Sequence, residues 1–231
     1  MTMGKRVFVS YKYSDTNVKY IPHKDWWEPT KVRDYVDVLE DKIGKDNIYC
    51  GEHSNEDLSG YSEDYIWEHL KDKIFNTTVT VVLISPGMKE KNSYDKSQWI
   101  PWEIRYSIRE NSRSITSHRN GIIAVVLPDI NGSYSYMIEH LQCCQSGCKL
   151  LHTDKLFWIL QNNMFNLKEP NKHVCGRGDT VYRGDCSYIS MVTWDDFIKN
   201  ADTINFFIEF AASKIKDADE NYDLHLDINK V

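Results

Sequence analysis

The stretch Trp99-Ile-Pro-Trp-Glu103 carries the strongest chemical signal in the chain: a carboxylate one helical turn from a tryptophan. Helical spacing puts Trp99, Glu103 and Ser107 on one side, and Ile100, Ile104 and Ile108 on a neighbouring face available to a sheet. Pro101 lacks an N–H and belongs in a first turn, so the helix cannot begin much before Gln98. A carboxylate in the first turns of a helix is favoured by the macrodipole. Beside a large aromatic wall, it can bind a flat cationic ring and stabilise a developing oxocarbenium charge. Spacing alone equally allows a plain surface glutamate flanked by core tryptophans.

Other chemistries find less support. Neither the G-x-G-x-x-G dinucleotide fingerprint nor the G-x-x-x-x-G-K-[ST] phosphate loop occurs, and Gly176-Arg177-Gly178 does not follow a strand. Cys143, Cys144, Cys148, His173, Cys175 and Cys186 offer enough soft ligands for one zinc ion. No C-x-x-C pair is present, however, and adjacent Cys143 and Cys144 suit one metal poorly. These cysteines read as ordinary buried thiols, and no metal is expected. Arg105, Arg109 and Arg113 recur every four residues, as a solvated helix face or a self-association surface.

Composition narrows the class. Of 231 residues, 41% are hydrophobic and 27% charged, which excludes disordered and collagen-like chains. The net charge is −6, and residues 217–231 hold five acids against Lys230. The rest is nearly neutral, so nothing argues for nucleic acid. The longest apolar runs, Val79 to Ile84 and Ile122 to Leu127, fall far short of the roughly 18–20 residues a bilayer needs. Without a signal-peptide core the chain is expected to be cytoplasmic, with no membrane partner and reduced thiols.

The elements that must position Glu103 alternate. Arg6 to Tyr11 reads as a buried first strand, followed by a long loop containing Trp26 and Trp27. Val32, Tyr35, Val36, Leu39 and Ile43 recur at helical spacing, with Gly44 as the stop. Asn47 to Cys50 is a second strand and Gly51 to Gly60 a polar loop. Ser62 is the N-cap of a helix carrying Ile66, Leu70 and Ile74. Val79 to Ser85 is a central parallel strand, apolar on both faces. A helix from about Gln98 to Arg113 precedes a fourth strand, Gly121 to Leu127. The following stretch is irregular, with one amphipathic piece at Lys155 to Phe165. Tyr188 to Val192 is a fifth strand, and Trp194 to Ile215 a final helix.

This order predicts an α/β fold: a doubly wound, flavodoxin-like parallel sheet with helices on both faces. The expected organisation is a core over 1–130, a cysteine-containing insertion over 131–187, the last strand and helix of the core over 188–216, and a loosely packed acidic tail over 217–231. In such folds ligands sit beyond the carboxyl ends of the strands, where strand order reverses. Those ends are Ser10–Tyr11, Cys50–Gly51 and Ser85–Pro86.

Three strings on these elements, VFVSYKYSD (Val7 to Asp15), VVLISPG (Val81 to Gly87) and QWIPWEI (Gln98 to Ile104), resemble the signature pieces of a TIR domain in order and separation. The resemblance covers roughly residues 5–127. Its particular dialect, TTVTVVLIS, WIPWEI and then IIAVVLPD, is similar to TIR-like proteins of bacterial Thoeris anti-phage systems. The resemblance implies an enzyme that splits NAD+ at the nicotinamide–ribose bond, with NAD+ as substrate and no cofactor. It assigns the essential carboxylate to Glu103 and the aromatic before it to Trp99. Ser10, Tyr11 and Lys12 would line the NAD+ pocket, Asp57 and Leu58 would belong to a loop closing over it, and Ser85 matches the serine after the third strand. One departure stands out: many TIR enzymes carry an arginine pair where this chain has Lys12-Tyr13. Implied partners are other TIR surfaces through self-association, a downstream effector activated by the product, and a phage-derived trigger.

Nicotinamide in NAD+ is already a cationic leaving group, so its departure needs little acid help. The cost is the positive charge left on the ribose, which a nearby carboxylate stabilises. Attack by water gives ADP-ribose; attack by a group of the same molecule gives a cyclic isomer. Two other readings stay open at this point: a non-catalytic TIR scaffold, and a hydrolase or transferase acting on another N-glycoside.

Overall fold

Period two sorts the strand residues. Val7, Val9, Val79, Val81, Leu83, Ile123 and Val125 belong to one buried cluster, while Phe8, Val82, Ile84, Ile122, Ala124 and Val126 join clusters on the opposite face. Strands apolar on both faces need helices on both, and the chain supplies them.

The computed structural model describes residues 6–22, 27–44, 48–50, 62–90, 92–113, 116–143 and 147–229. In chain order the core elements are β1 (Val7–Ser10), α1 (Val32–Ile43), β2 (Ile48–Cys50), α2 (Glu63–Phe75), β3 (Val79–Ile84) and α3 (Trp99–Ile108). A short hairpin follows, β4 (Asn111–Arg113) and β5 (Thr116–His118), and then β6 (Gly121–Val126). Next come a second hairpin, β7 (Ile138–Leu141) and β8 (Cys148–Leu151), the helix α4 (Trp158–Asn162), and a third hairpin, β9 (Lys172–Val174) and β10 (Thr180–Tyr182). The chain closes with β11 (Ser190–Thr193), α5 (Trp194–Phe197), α6 (Ala201–Ser213) and α7 (Ala218–Asn221).

Five strands form one parallel sheet in the order β2-β1-β3-β6-β11. Helices α1, α5 and α6 cover one face; α2, α3 and α4 cover the other. Strand order reverses at β1, which pairs with β2 on one side and β3 on the other. Ser10 is the last residue of β1 and stands opposite Val82. The expected α/β sheet is therefore the observed one.

Several boundaries differ from the sequence reading. Helix α3 ends at Ile108, and Arg109 is already extended, with φ −67° and ψ 136°. The cause is local: the Asn111 side-chain amide donates to the carbonyls of Tyr106 and Arg109 at 2.7 and 2.8 Å, which closes the helix end. Arg105, Arg109 and Arg113 are thus no helical stripe; Arg113 lies in β4. The final helix is two helices. Asn200 caps the second, its side chain accepting from the Thr203 N–H at 2.8 Å. The amphipathic piece at 155–165 contains only the short α4, whose Trp158 N–H donates to Asp95 at 2.7 Å.

The acidic tail is docked rather than loose. Ala218 and Ile228 are buried, and Leu224 and Leu226 pack on the α3-side core. Asn163 and Asn166 hold the tail's backbone: their amides donate to the His225 and Asp223 carbonyls, both at 2.8 Å.

Candidate functional site

Glu103 sits in the second turn of α3 and is only 1% exposed. Alternation along β1 turns Ser10 toward α3 and Tyr11 toward α1. The Ser10 hydroxyl donates to the Glu103 carboxylate at 2.6 Å, within the range of a hydrogen bond strengthened by charge. The pair stands where strand order reverses, at the carboxyl end of β1.

One turn further along α3 the polar contact continues. The Ser107 hydroxyl donates to the Glu103 carbonyl at 2.8 Å and lies 2.8 Å from the Thr80 hydroxyl of β3. The Asn120 side-chain amide donates to the hydroxyls of Thr80 and Thr77 at 3.0 and 2.8 Å. All these side chains are buried, so each donor and acceptor needs its partner and the whole seam is fixed in one arrangement. The seam sets the rotation of α3 over the sheet, and with it the position of the carboxylate.

The loops after β1 and β3 are tied to each other beyond the carboxyl ends of these strands. Asp15 is 6% exposed, and its carboxylate accepts from the Gly87 N–H at 2.7 Å and from the Asn17 amide at 2.6 Å. A Cβ on Gly87 would lie 2.5 Å from an Asp15 oxygen, so any larger residue would have to displace the Asp15 carboxylate. Outside it, Lys12 forms an ion pair with Glu90 at 2.9 Å. That hydrogen bond, with help from Ser93, holds the Glu90 carboxyl below its usual range.

Ser85, just after β3, is buried, and its hydroxyl has no hydrogen-bond partner among the described residues. It lines a cavity of about 300 Å³ with Tyr136, Lys89 and Asp154. The Tyr136 hydroxyl lies 2.8 and 2.9 Å from the carbonyls of Ile84 and Leu127, closing the ends of β3 and β6; burial pushes its phenol pKa up.

The predicted site residues are therefore brought together in part. Ser10 and Glu103 touch, and Ser85 follows β3, the strand that pairs with β1. Tyr11 is buried on the α1 side with Val32 and Tyr35, its hydroxyl near the Arg33 guanidinium at 3.5 Å. Trp99 turns toward α2: its ring lies 6.3 Å from that of Trp67, and the two line a groove of about 450 Å³ with Glu63, Asp64 and Trp102. Glu103 does not line that groove. Asp57 and Leu58 lie outside the described residues.

Sequence reasoning missed Asp15, Thr80, Asn120 and Glu90, and placed Ser107 on the Glu103 side of the helix without giving it a role. The signal for Thr80 was available: like Ser10, it is a lone polar residue at an inward position of an otherwise apolar strand.

A parallel sheet of order β2-β1-β3-β6-β11, with a buried glutamate on the helix after β3 bonded to the last residue of β1, defines a TIR-like α/β domain. The family described as Thoeris protein ThsB, TIR-like domain, matches residues 8–131, more than half of the chain. The chain belongs to this family of Thoeris anti-phage defence proteins. No solved structure matches it. Among the described residues no helix is long and apolar enough to cross a membrane.

Proposed function

We propose that this chain cleaves NAD+ at the nicotinamide–ribose bond and converts the ribosyl moiety into an ADP-ribose-derived signal, cyclic in form, during anti-phage defence. The observation that carries this reading is the Ser10–Glu103 pair at the point of strand-order reversal. The C–N bond breaks with its electron pair going to nicotinamide, and the ribose is left as an oxocarbenium ion. Glu103 stabilises that charge through the ribose hydroxyls, while Ser10 acts as a positioning residue that fixes the carboxylate. Attack by a hydroxyl or base nitrogen of the same ADP-ribose, with loss of its proton, closes the cyclic product; water instead gives ADP-ribose.

Lys12 follows β1 two residues after Ser10, and its ion pair with Glu90 must be shared or exchanged for a phosphate to bind there. Self-association, a phage-derived trigger and an effector that reads the product complete the proposal. Self-association or a trigger fits the need for a closed, dry pocket if the intermediate is to cyclise before water reaches it, while the effector and the phage origin of the trigger rest on the family resemblance.

The 1% exposure of Glu103 favours a second reading, a scaffold in which the acid is only an internal strut. One experiment separates the two: incubation of the purified protein with NAD+, alone and with extract of phage-infected cells, with nicotinamide and nucleotide products read by mass spectrometry. Nicotinamide release lost in Glu103→Gln supports the enzyme. A folded wild-type protein that leaves NAD+ untouched under both conditions supports the scaffold.

A further inference from the structure

Three cysteines far apart in sequence converge at the tips of two hairpins. Cys148 opens β8, where it pairs with Leu141, and Cys143 lies two residues beyond the end of β7. Cys175 begins the turn between β9 and β10, just past the Val174–Thr180 pair. The three sulfur atoms all lie within 4.8 Å of one another, and Cys148 and Cys175 are buried. None of the three is in a disulfide. We propose that Cys143, Cys148 and Cys175 form a thiolate site for a soft divalent cation, zinc, which staples the two hairpins together.

The geometry fits the ion. Zinc–sulfur bonds of about 2.3 Å in a tetrahedron put the sulfurs about 3.8 Å apart. A set already within 4.8 Å closes on the ion by side-chain rotation and small backbone shifts. The turn that presents Cys175 is tight and fixed by its own backbone. Its backbone bonds Cys175 N–H to the Asp179 carbonyl and Gly178 N–H to the Cys175 carbonyl, both at 2.9 Å, with Gly178 at φ +89°. Close approach of the two tips is also encoded: a Cβ on Gly176 would lie 2.9 Å from the Cys143 carbonyl oxygen. Three protein ligands leave a fourth position for water or another donor.

The staple has a physical purpose. Two-stranded hairpins are marginal alone, and β9 and β10 bury little: their residues are exposed or half-buried. A metal joining their tip to that of β7–β8 adds binding free energy to folding, where a hydrophobic core is lacking. The sequence offers these cysteines as ligands but argues against a metal, because the three that meet come from two hairpins rather than a C-x-x-C knuckle. Cys186, also buried, is not part of the trio; its thiol donates to the Arg183 carbonyl.

The test uses the full chain, purified under reducing conditions without chelator from zinc-supplemented cells. Metal content is measured by plasma mass spectrometry, and cobalt(II) is then exchanged into the protein. The expected result is about one zinc per chain and a thiolate-to-cobalt charge-transfer band of three-sulfur intensity. Cys175→Ser should lose the bound metal at least about 5-fold, while Cys186→Ser keeps it. Zinc below about a tenth of an equivalent, a disulfide within the trio after rapid alkylation, or wild-type metal in Cys175→Ser would each overturn the assignment. Should Cys175→Ser fail to fold, the wild-type cobalt spectrum decides: no sulfur charge-transfer band refutes the site.

Discussion

Ser10 and Glu103, 93 positions apart, meet in a 2.6 Å hydrogen bond between the last residue of β1 and the second turn of α3. The bond crosses from the sheet to the helix layer at the strand where order reverses, and both residues are buried. A hydroxyl there leaves the carboxylate charge in place and fixes its direction. Ser10→Ala should therefore lower kcat for NAD+ cleavage roughly 10- to 100-fold with KM nearly unchanged. It should also cost about 1–3 kcal/mol of stability, because a buried acceptor loses its donor. Steady-state kinetics with urea unfolding checks both. A kcat equal to wild type removes Ser10 from any positioning role.

Gly87 and Asp15 form the brace between the loops after β1 and β3. A methyl group at Gly87 would press on the Asp15 carboxylate, so Gly87→Ala should destabilise by about 1–3 kcal/mol. The clash needs both partners. In a double-mutant cycle with Asp15→Ala, the combined loss should be smaller than the sum of the single losses. Strict additivity would mean that the two residues do not constrain each other.

Lys12 and Glu90 are both solvent-accessible, and their ion pair should contribute less than about 1 kcal/mol to stability. Its effect belongs to binding instead. Lys12→Ala should leave the thermal midpoint within a degree or two while raising KM for NAD+ several-fold, as read by initial rates over a range of substrate concentrations. A changed kcat with constant KM would place Lys12 in the chemistry rather than in recognition.

Alkaline pH should unfold the protein from within. Burial pushes the phenols of Tyr35 and Tyr188 well up from their ordinary value of 10.0, and each donates a hydrogen bond, to the Lys19 and Asn120 carbonyls. A group whose folded pKa is raised gives stability that is complete below its unfolded pKa and lost as pH rises beyond it. Each should forfeit about 1.4 kcal/mol per pH unit above about 10. Lys214 acts the other way: burial lowers its amine, so its deprotonation adds stability as pH climbs toward 10.5. Circular dichroism should show a flat thermal midpoint from about pH 7 to 9 and a steep fall above 10. A midpoint unchanged at pH 11 would contradict the burial of these phenols.

The sheet was legible because its strands are unbroken apolar runs, and α1 and α2 because Gly44 and Ser62 end and begin them by ordinary capping chemistry. That Glu103 lies near the strand ends was legible from its helix spacing and from the resemblance of the three strings, but its hydrogen bond with Ser10 was not. Elements decided by single side chains were not. Asn111 ends α3 early and Asn200 divides the last helix, and neither changes the hydrophobic period. The docked tail depends on Asn163 and Asn166, more than fifty residues upstream, and no local pattern reports that. Trp99 shows a different limit. Its spacing correctly put it on the helix with Glu103, yet its ring turned to the tryptophan of α2 rather than toward the carboxylate's partner.

The central claim is that Glu103 carries the chemistry. Its most direct test is NAD+ consumption by Glu103→Gln, which removes the charge and keeps the shape, measured beside wild type under conditions where wild type turns over. The substitution should preserve the circular dichroism spectrum and lower turnover by about 100-fold or more. A folded Glu103→Gln protein retaining more than about a tenth of wild-type turnover would contradict the account.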